Sequence, residues 1–215
     1  GQLTGFAMAP AGPGNRVGTY DKASGVMTLP AESFQSQGQI PSADLTGVLR
    51  VQDMSLRFVH GSYVDKSAQQ QSVPQDMLTN LQTTLNESPW LAEQVKLAAT
   101  TVGPSDPKGR HHLEQFVQMA QAGAGATYDG NAKSMNLSLD RLNARPASYG
   151  SGPTAAIGDM TYVIGHELQH SFDHPAHDKA WKTLMAEVKA IAQDRNSVND
   201  YTLPLETYLQ SARQA

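Results

Sequence analysis

The chain has 215 residues, 16 Lys plus Arg, 20 Asp plus Glu, and a formal net charge of −4. This length fits one domain, or one domain with a small appendage, and is enough to bury a core. The absence of a basic stripe argues against nucleic acid as a main partner. With no cysteine, disulfides, cysteine–zinc sites and a thiol nucleophile are excluded. No apolar run approaches the ~20 residues that span a bilayer.

The first sixty residues are expected to be rich in strands. Residues 1–16 hold several Gly and Pro and predict a loose lead-in, whereas residues 17–30 predict a β-hairpin. Apolar residues alternate over residues 45–59, which predicts one or two further strands. We therefore expect a β-rich appendage, or the first part of the main sheet, over residues 1–62, and the main domain over residues 63–215.

Helical spacing begins after residue 74. Met77, Leu78, Leu81 and Leu85 recur at intervals that place them on one helix face. Ser88-Pro89 is typical of a helix start, with an N-cap followed by proline at the first helical position, and this second helix is expected to end near Thr100. A third helix is predicted from about residue 110 to about residue 122.

A second hairpin is predicted over residues 126–139. Its Thr-Tyr-Asp turn followed by Met-x-Leu repeats the pattern of residues 19–29. We favour shared turn chemistry over a true duplication as the explanation. Ser134 to Leu139 is our candidate for a cleft-edge strand that pairs with an extended substrate, and an ordinary inner strand is the equal alternative.

The next predicted helix carries the motif His166-Glu-Leu-Gln-His170. Residues four apart share a helix face, so both imidazoles can reach one zinc ion, while Glu167 can take a proton from water at the metal. This helix is predicted to begin near residue 154 and to end near residue 173, because Pro175 follows. Asp178 and Pro204 are expected to begin two further helices.

The run around this motif resembles the signature of the neprilysin family of zinc endopeptidases. The matching residues are Val163, Ile164, Gly165, His166, Glu167, His170, Phe172 and Asp173, with Ser171 in place of glycine. The resemblance implies an α+β, zincin-like fold, mainly helical, with a small antiparallel sheet and a central active-site helix. It also implies a glutamate as third ligand, although the family's Glu-Asn-x-x-Asp motif is absent. In size and composition the chain is similar to short HExxH proteases among secreted bacterial effectors and toxins.

A catalytic zinc site needs a third protein ligand. Glu206 is our assignment, because it lies 36 residues after His170, a separation that resembles the clostridial neurotoxin light chains. A residue just beyond the end of this fragment is an equal alternative. Glu187 and His177 are weaker alternatives, since Glu187 lies on the flank of its predicted helix and His177 falls one residue late for a metzincin pattern.

The sequence thus predicts a zinc metalloprotease that acts on a protein or peptide. The alternatives are a zinc amidase acting on peptidoglycan and a non-catalytic binding module braced by zinc. We expect a secreted or translocated bacterial protein that has a cognate inhibitor, and no signal peptide is visible in Gly1-Gln-Leu-Thr-Gly. Asp173 is the expected acceptor for a ring nitrogen of the zinc-binding histidines.

Overall fold

Helices and short strands alternate along the chain, which agrees with the predicted α+β class. The computed structural model describes residues 2–34, 43–64, 69–74, 76–103, 106–119, 125–143 and 153–193. The chain divides into two units, Gly1–Ser171 and Phe172–Ala215. The predicted boundary at residue 62 stays a prediction. Over the described ranges, every helix is too short or too polar to cross a bilayer.

The predicted N-terminal hairpin is confirmed and belongs to a three-stranded sheet. The strands are β1 (Gly5–Ala9), β2 (Thr19–Asp21) and β3 (Val26–Pro30), in the spatial order β1-β3-β2. Strand β2 is antiparallel to β3, whereas β1 is parallel to it. The expectation of a purely antiparallel sheet was therefore wrong, because the lead-in to the hairpin supplies a parallel edge strand.

Residues 45–59, predicted as strands, form helix α1 (Ala43–His60) instead. The buried residues of this stretch are Val48, Val51, Met54, Phe58 and Val59. They recur every three or four positions and so cover one helix face. The apolar residues also alternate over part of this stretch, but the spacing that determines the structure is three or four residues. A short two-stranded antiparallel sheet, β4 (Ser62–Val64) with β5 (Gln70–Ser72), follows the helix.

The next two helices are confirmed. They are α2 (Met77–Glu87) and α3 (Pro89–Thr100). Ser88 Oγ accepts a hydrogen bond from the backbone amide of Leu91 at 3.3 Å, so Ser88 is the N-cap that the sequence predicted. The buried apolar faces of both helices and of α1 form the main core of the first unit.

A second three-stranded sheet replaces the helix predicted for residues 110–122. Its strands are β6 (Gln115–Gln118), β7 (Ala126–Asp129) and β8 (Ser134–Leu137), in the order β6-β8-β7. The predicted hairpin is confirmed as β7 and β8. The choice of the Ser134 to Leu139 segment as the edge was wrong, because β6 pairs with β8 on its far side. The edge strand of the hairpin is β7.

The two three-stranded sheets share strand order and register. In each, a Phe on the parallel strand and a Tyr on the antiparallel strand lie opposite the same Met. These residues are Phe6, Tyr20 and Met27 in the first sheet, and Phe116, Tyr128 and Met135 in the second. Turn chemistry explains two similar hairpins, but it does not explain a matching third strand. The similarity between the two sheets therefore includes a third strand, which the shared turn residues do not explain.

Helix α4 (Leu139–Asn143) follows the second sheet, and helix α5 (Pro153–Gln193) carries the HExxH motif. Met160, Ile164 and Leu168 are buried on one face of α5. The prediction that Pro175 ends this helix and that Asp178 begins another was wrong, because the helix continues through both positions. Proline at 175 has no amide hydrogen to donate to the carbonyl of Ser171, and this carbonyl accepts a hydrogen bond from His112. The helix predicted from Pro204 lies outside the described residues.

Candidate metal centre

Helix α5 presents the two motif histidines side by side. His166 and His170 are exposed, whereas Ile164 and Leu168 face the core. The apolar spacing of the sequence fixes which face of the helix is buried, and the histidines, one turn apart, fall outside that face. Their positions therefore follow directly from the pattern of residues.

The distance between the two imidazoles suits a shared metal ion. The Nε2 atoms of His166 and His170 are 3.2 Å apart, and the rings meet at 84°. Two nitrogens bound to one tetrahedral zinc, each at about 2.0–2.1 Å, lie about 3.3 Å apart. The separation of the two nitrogens is thus compatible with their binding one metal ion through Nε2.

The carboxylate of Glu167 is held near the histidine pair by a strand. Its Oε2 accepts a hydrogen bond from the backbone amide of Tyr128 in β7 at 2.8 Å. One oxygen of the carboxylate lies within 4.8 Å of the nitrogens of both histidines. The three side chains therefore lie close enough to one another to hold a single metal ion.

Tyr128 is itself fixed at its other end. Its hydroxyl donates to the carbonyl of His112, and burial raises the pKa of this hydroxyl to about 12. The strand that holds Glu167 is thus tied to the loop before β6 by a neutral phenol. This contact limits the freedom of β7 relative to the rest of the sheet.

An apolar groove of about 360 Å³ lies beside the first histidine. It is lined by Trp90, Thr161, Tyr162, Gly165, His166 and Gln169. Tyr162 stacks on the His166 ring with the centroids 6.3 Å apart. A Cβ added to Gly165 would lie 2.6 Å from the indole of Trp90, so glycine allows the indole to rest against α5. The groove thus reaches His166, the first histidine of the pair.

The structure brings together three of the four predicted site residues. Across the described ranges, His166, Glu167 and His170 are the group of His, Asp or Glu side chains close enough to share a metal. Glu206 lies outside the described residues, and so do the side chains of Glu187 and His177. The ligand role of Glu206 and the acceptor role of Asp173 stay predictions.

Three contributors to the site were missed by sequence reasoning. The amide of Tyr128 gave no signal, because every residue except proline carries such a donor. His112 lay inside a predicted helix, which hid it. Trp90 could have been noticed as a large aromatic residue in the first turn of a helix, where it is 53% exposed.

Comparisons with protein-family models, curated proteins and solved structures found no match to this chain.

Replacing Tyr128 with Phe is expected to lower the free energy of unfolding by about 1 kcal/mol at neutral pH, because it removes one hydrogen bond. The raised pKa of Tyr128 stabilises the fold below pH 10, and this contribution is lost as pH rises from 10 to 12. The gap between wild type and Tyr128→Phe should therefore narrow over that interval in urea unfolding measured at several pH values.

Tyr20→Phe is the matched control, since Tyr20 holds the corresponding place in the first sheet. Its buried hydroxyl makes no hydrogen bond in the described part of the chain. Removing it should leave stability unchanged or slightly raised at neutral pH. Equal losses in the two variants would contradict the role given to the Tyr128 hydroxyl.

Proposed function

We propose that this chain is a zinc-dependent peptidase whose metal is held by His166 and His170 and whose general base is Glu167. The observation that carries the proposal is the 3.2 Å separation of the two Nε2 atoms beside a carboxylate held by a strand amide. The two ring nitrogens lie within hydrogen-bond distance of each other, and a strand amide fixes the carboxylate beside them. A site for a metal and a base accounts for all three groups together.

The residues divide the chemistry between them. Zinc held there would polarise a substrate carbonyl and lower the pKa of a nearby water. The two histidines bind as neutral rings through Nε2. Glu167 accepts the proton of the attacking water and passes it to the leaving amine. The Tyr128 amide donates to Oε2, and we assign the proton to the other oxygen, Oε1.

Strand β7 supports a peptide as the substrate. It pairs with β8 on one side, and its other side faces Glu167. An extended peptide that adds to a sheet edge forms main-chain hydrogen bonds without regard to sequence. Such a peptide beside β7 would pass close to the base, and it would pair with main-chain groups other than the Tyr128 amide, which already donates to Glu167. β7 thus takes the substrate-pairing role that the sequence had suggested for residues 134–139.

The groove beside His166 supports an apolar side chain next to the bond that is cleaved. Its walls include Trp90 and Tyr162, both largely exposed. Exposed aromatic residues in a concave surface are typical of ligand sites. We therefore propose that the enzyme prefers substrates with a large apolar residue at this position.

Several further expectations belong to the same proposal. Glu206 is the proposed third ligand, and the fold is proposed to be zincin-like. Export from a bacterium and a cognate inhibitor are proposed on the size and composition of the chain. A peptide substrate is preferred over peptidoglycan because of the strand edge beside Glu167.

Replacing His170 with Ala should weaken zinc binding by more than 100-fold, because loss of a ligand exceeds the 10–100-fold effect of outer contacts. Wild type should hold about one zinc per chain in metal analysis after dialysis. The control is His60→Ala, which removes an exposed histidine at the end of α1. Unchanged zinc content in His170→Ala would contradict the ligand assignment.

Replacing Glu167 with Gln should retain zinc and lower the rate of peptide cleavage by about 10²- to 10⁴-fold, because amide nitrogen and oxygen cannot accept the proton. Cleavage of an unfolded protein, followed by mass spectrometry, measures the rate and identifies the cleaved bonds. Glu87→Gln, an exposed position at the end of α2, is the control. Undiminished cleavage by Glu167→Gln would show that another group is the base.

A further inference from the structure

The carbonyl of Ser171 lies directly after the second histidine and lacks its ordinary helical partner. In an α-helix the carbonyl of residue 171 accepts from the amide of residue 175. Residue 175 is proline, which has no amide hydrogen. Helix α5 nevertheless continues, and Ser171 is fully buried. A buried carbonyl needs a donor, and the amide that ordinarily supplies it is missing here.

His112 supplies that donor. Its Nδ1 lies 2.7 Å from the carbonyl oxygen of Ser171. Because a carbonyl oxygen only accepts, Nδ1 must carry the proton, which fixes the ring as a donor at this atom. His112 is 4% exposed. Water therefore competes little for this hydrogen bond.

The backbone around His112 is fixed on two sides. The amide of His112 donates to the carbonyl of Thr101 at 3.0 Å, and the amide of Leu113 donates to Ala98 at 2.8 Å. The next amide, that of Glu114, donates to Lys133 at 2.8 Å. These bonds join the loop to the end of α3 and to the start of β8. Nδ1 is thus presented to α5 from a rigid support.

The same residue also contacts the strand that holds the base. The carbonyl of His112 accepts from the hydroxyl of Tyr128, whose amide donates to Glu167. The ring of His112 therefore bonds to α5 one residue after His170. Its backbone carbonyl is linked to the carboxylate of Glu167 through Tyr128.

We propose that His112 is a positioning residue, which aligns His170 and Glu167 by giving the Ser171 carbonyl the hydrogen bond that Pro175 withholds. This inference rests on the proposed metal site. It adds that the geometry of the site depends on the hydrogen bond from His112, because Pro175 has no amide hydrogen to replace it. Pro175→Ala restores an amide hydrogen at position 175, so it should make His112 dispensable.

The test is titration of the metal-free 215-residue chain with Co²⁺, followed by the visible absorption of the bound ion. His112→Ala should weaken Co²⁺ binding by about 10- to 100-fold, the effect typical of lost outer contacts. The double variant His112→Ala with Pro175→Ala should bind within about 3-fold of wild type. Pro175→Ala alone should bind as wild type does, because its carbonyl already has a partner.

Two conservative variants refine the result. Asparagine can place its amide donor near the position of Nδ1, whereas glutamine reaches further, towards the position of Nε2. His112→Asn should therefore retain most of the Co²⁺ affinity, and His112→Gln should lose it. A residue that only filled space would not separate these two amides in this order.

The outcomes separate this inference from the proposed function. If wild type binds no Co²⁺ or Zn²⁺, the proposed function fails first. If wild type binds but His112→Ala binds equally well, or Pro175→Ala gives no recovery, the positioning role alone is wrong. Circular dichroism reports folding: a single variant that unfolds while the double variant folds and binds supports the positioning role, and unfolding of both contradicts it.

Discussion

One turn of helix α5 places two imidazole nitrogens where a single cation can reach both, and every functional statement above depends on that proximity. The Nε2 atoms of His166 and His170 lie 3.2 Å apart, within hydrogen-bond distance of each other. Rings at this separation can share either a proton or a cation. Nitrogens that already lie this close would move little to bind one cation, which lowers the cost of binding.

The second sheet matters because it supplies what the helix cannot. Helix α5 carries Glu167, but the amide of Tyr128 in β7 fixes where the carboxylate points. In the first sheet the corresponding helix α1 carries Gln52, whose buried amide donates to the carbonyls of Val17 and Gly18. In both cases a side chain of the helix forms hydrogen bonds with main-chain groups in or just before the antiparallel strand of the sheet. In α1 the neighbouring positions, Val51 and Ser55, are buried rather than exposed histidines. Of these two similar arrangements, the one around α5 carries the candidate metal ligands.

The sequence predicted which side chains lie together where the residue types themselves carry the chemistry. His166, Glu167 and His170 were assigned from the HExxH motif, and the structure brings them together. It predicted less where distant contacts decide the structure. Residues 115–118 form a strand only because β8 is available as a parallel partner. Pro175 does not end its helix, and a histidine 63 positions earlier bonds to the carbonyl whose usual partner would be the amide at 175. Neither partner can be identified from the local sequence.

X-ray absorption spectroscopy of the zinc-loaded chain tests the central claim most directly, because it counts imidazole nitrogens around the metal. The account predicts two imidazole ligands at about 2.0–2.1 Å, with lighter oxygen donors completing the shell. Loss of one imidazole in His166→Ala would identify its source. A spectrum of zinc surrounded by oxygen alone, as in water, would contradict the account.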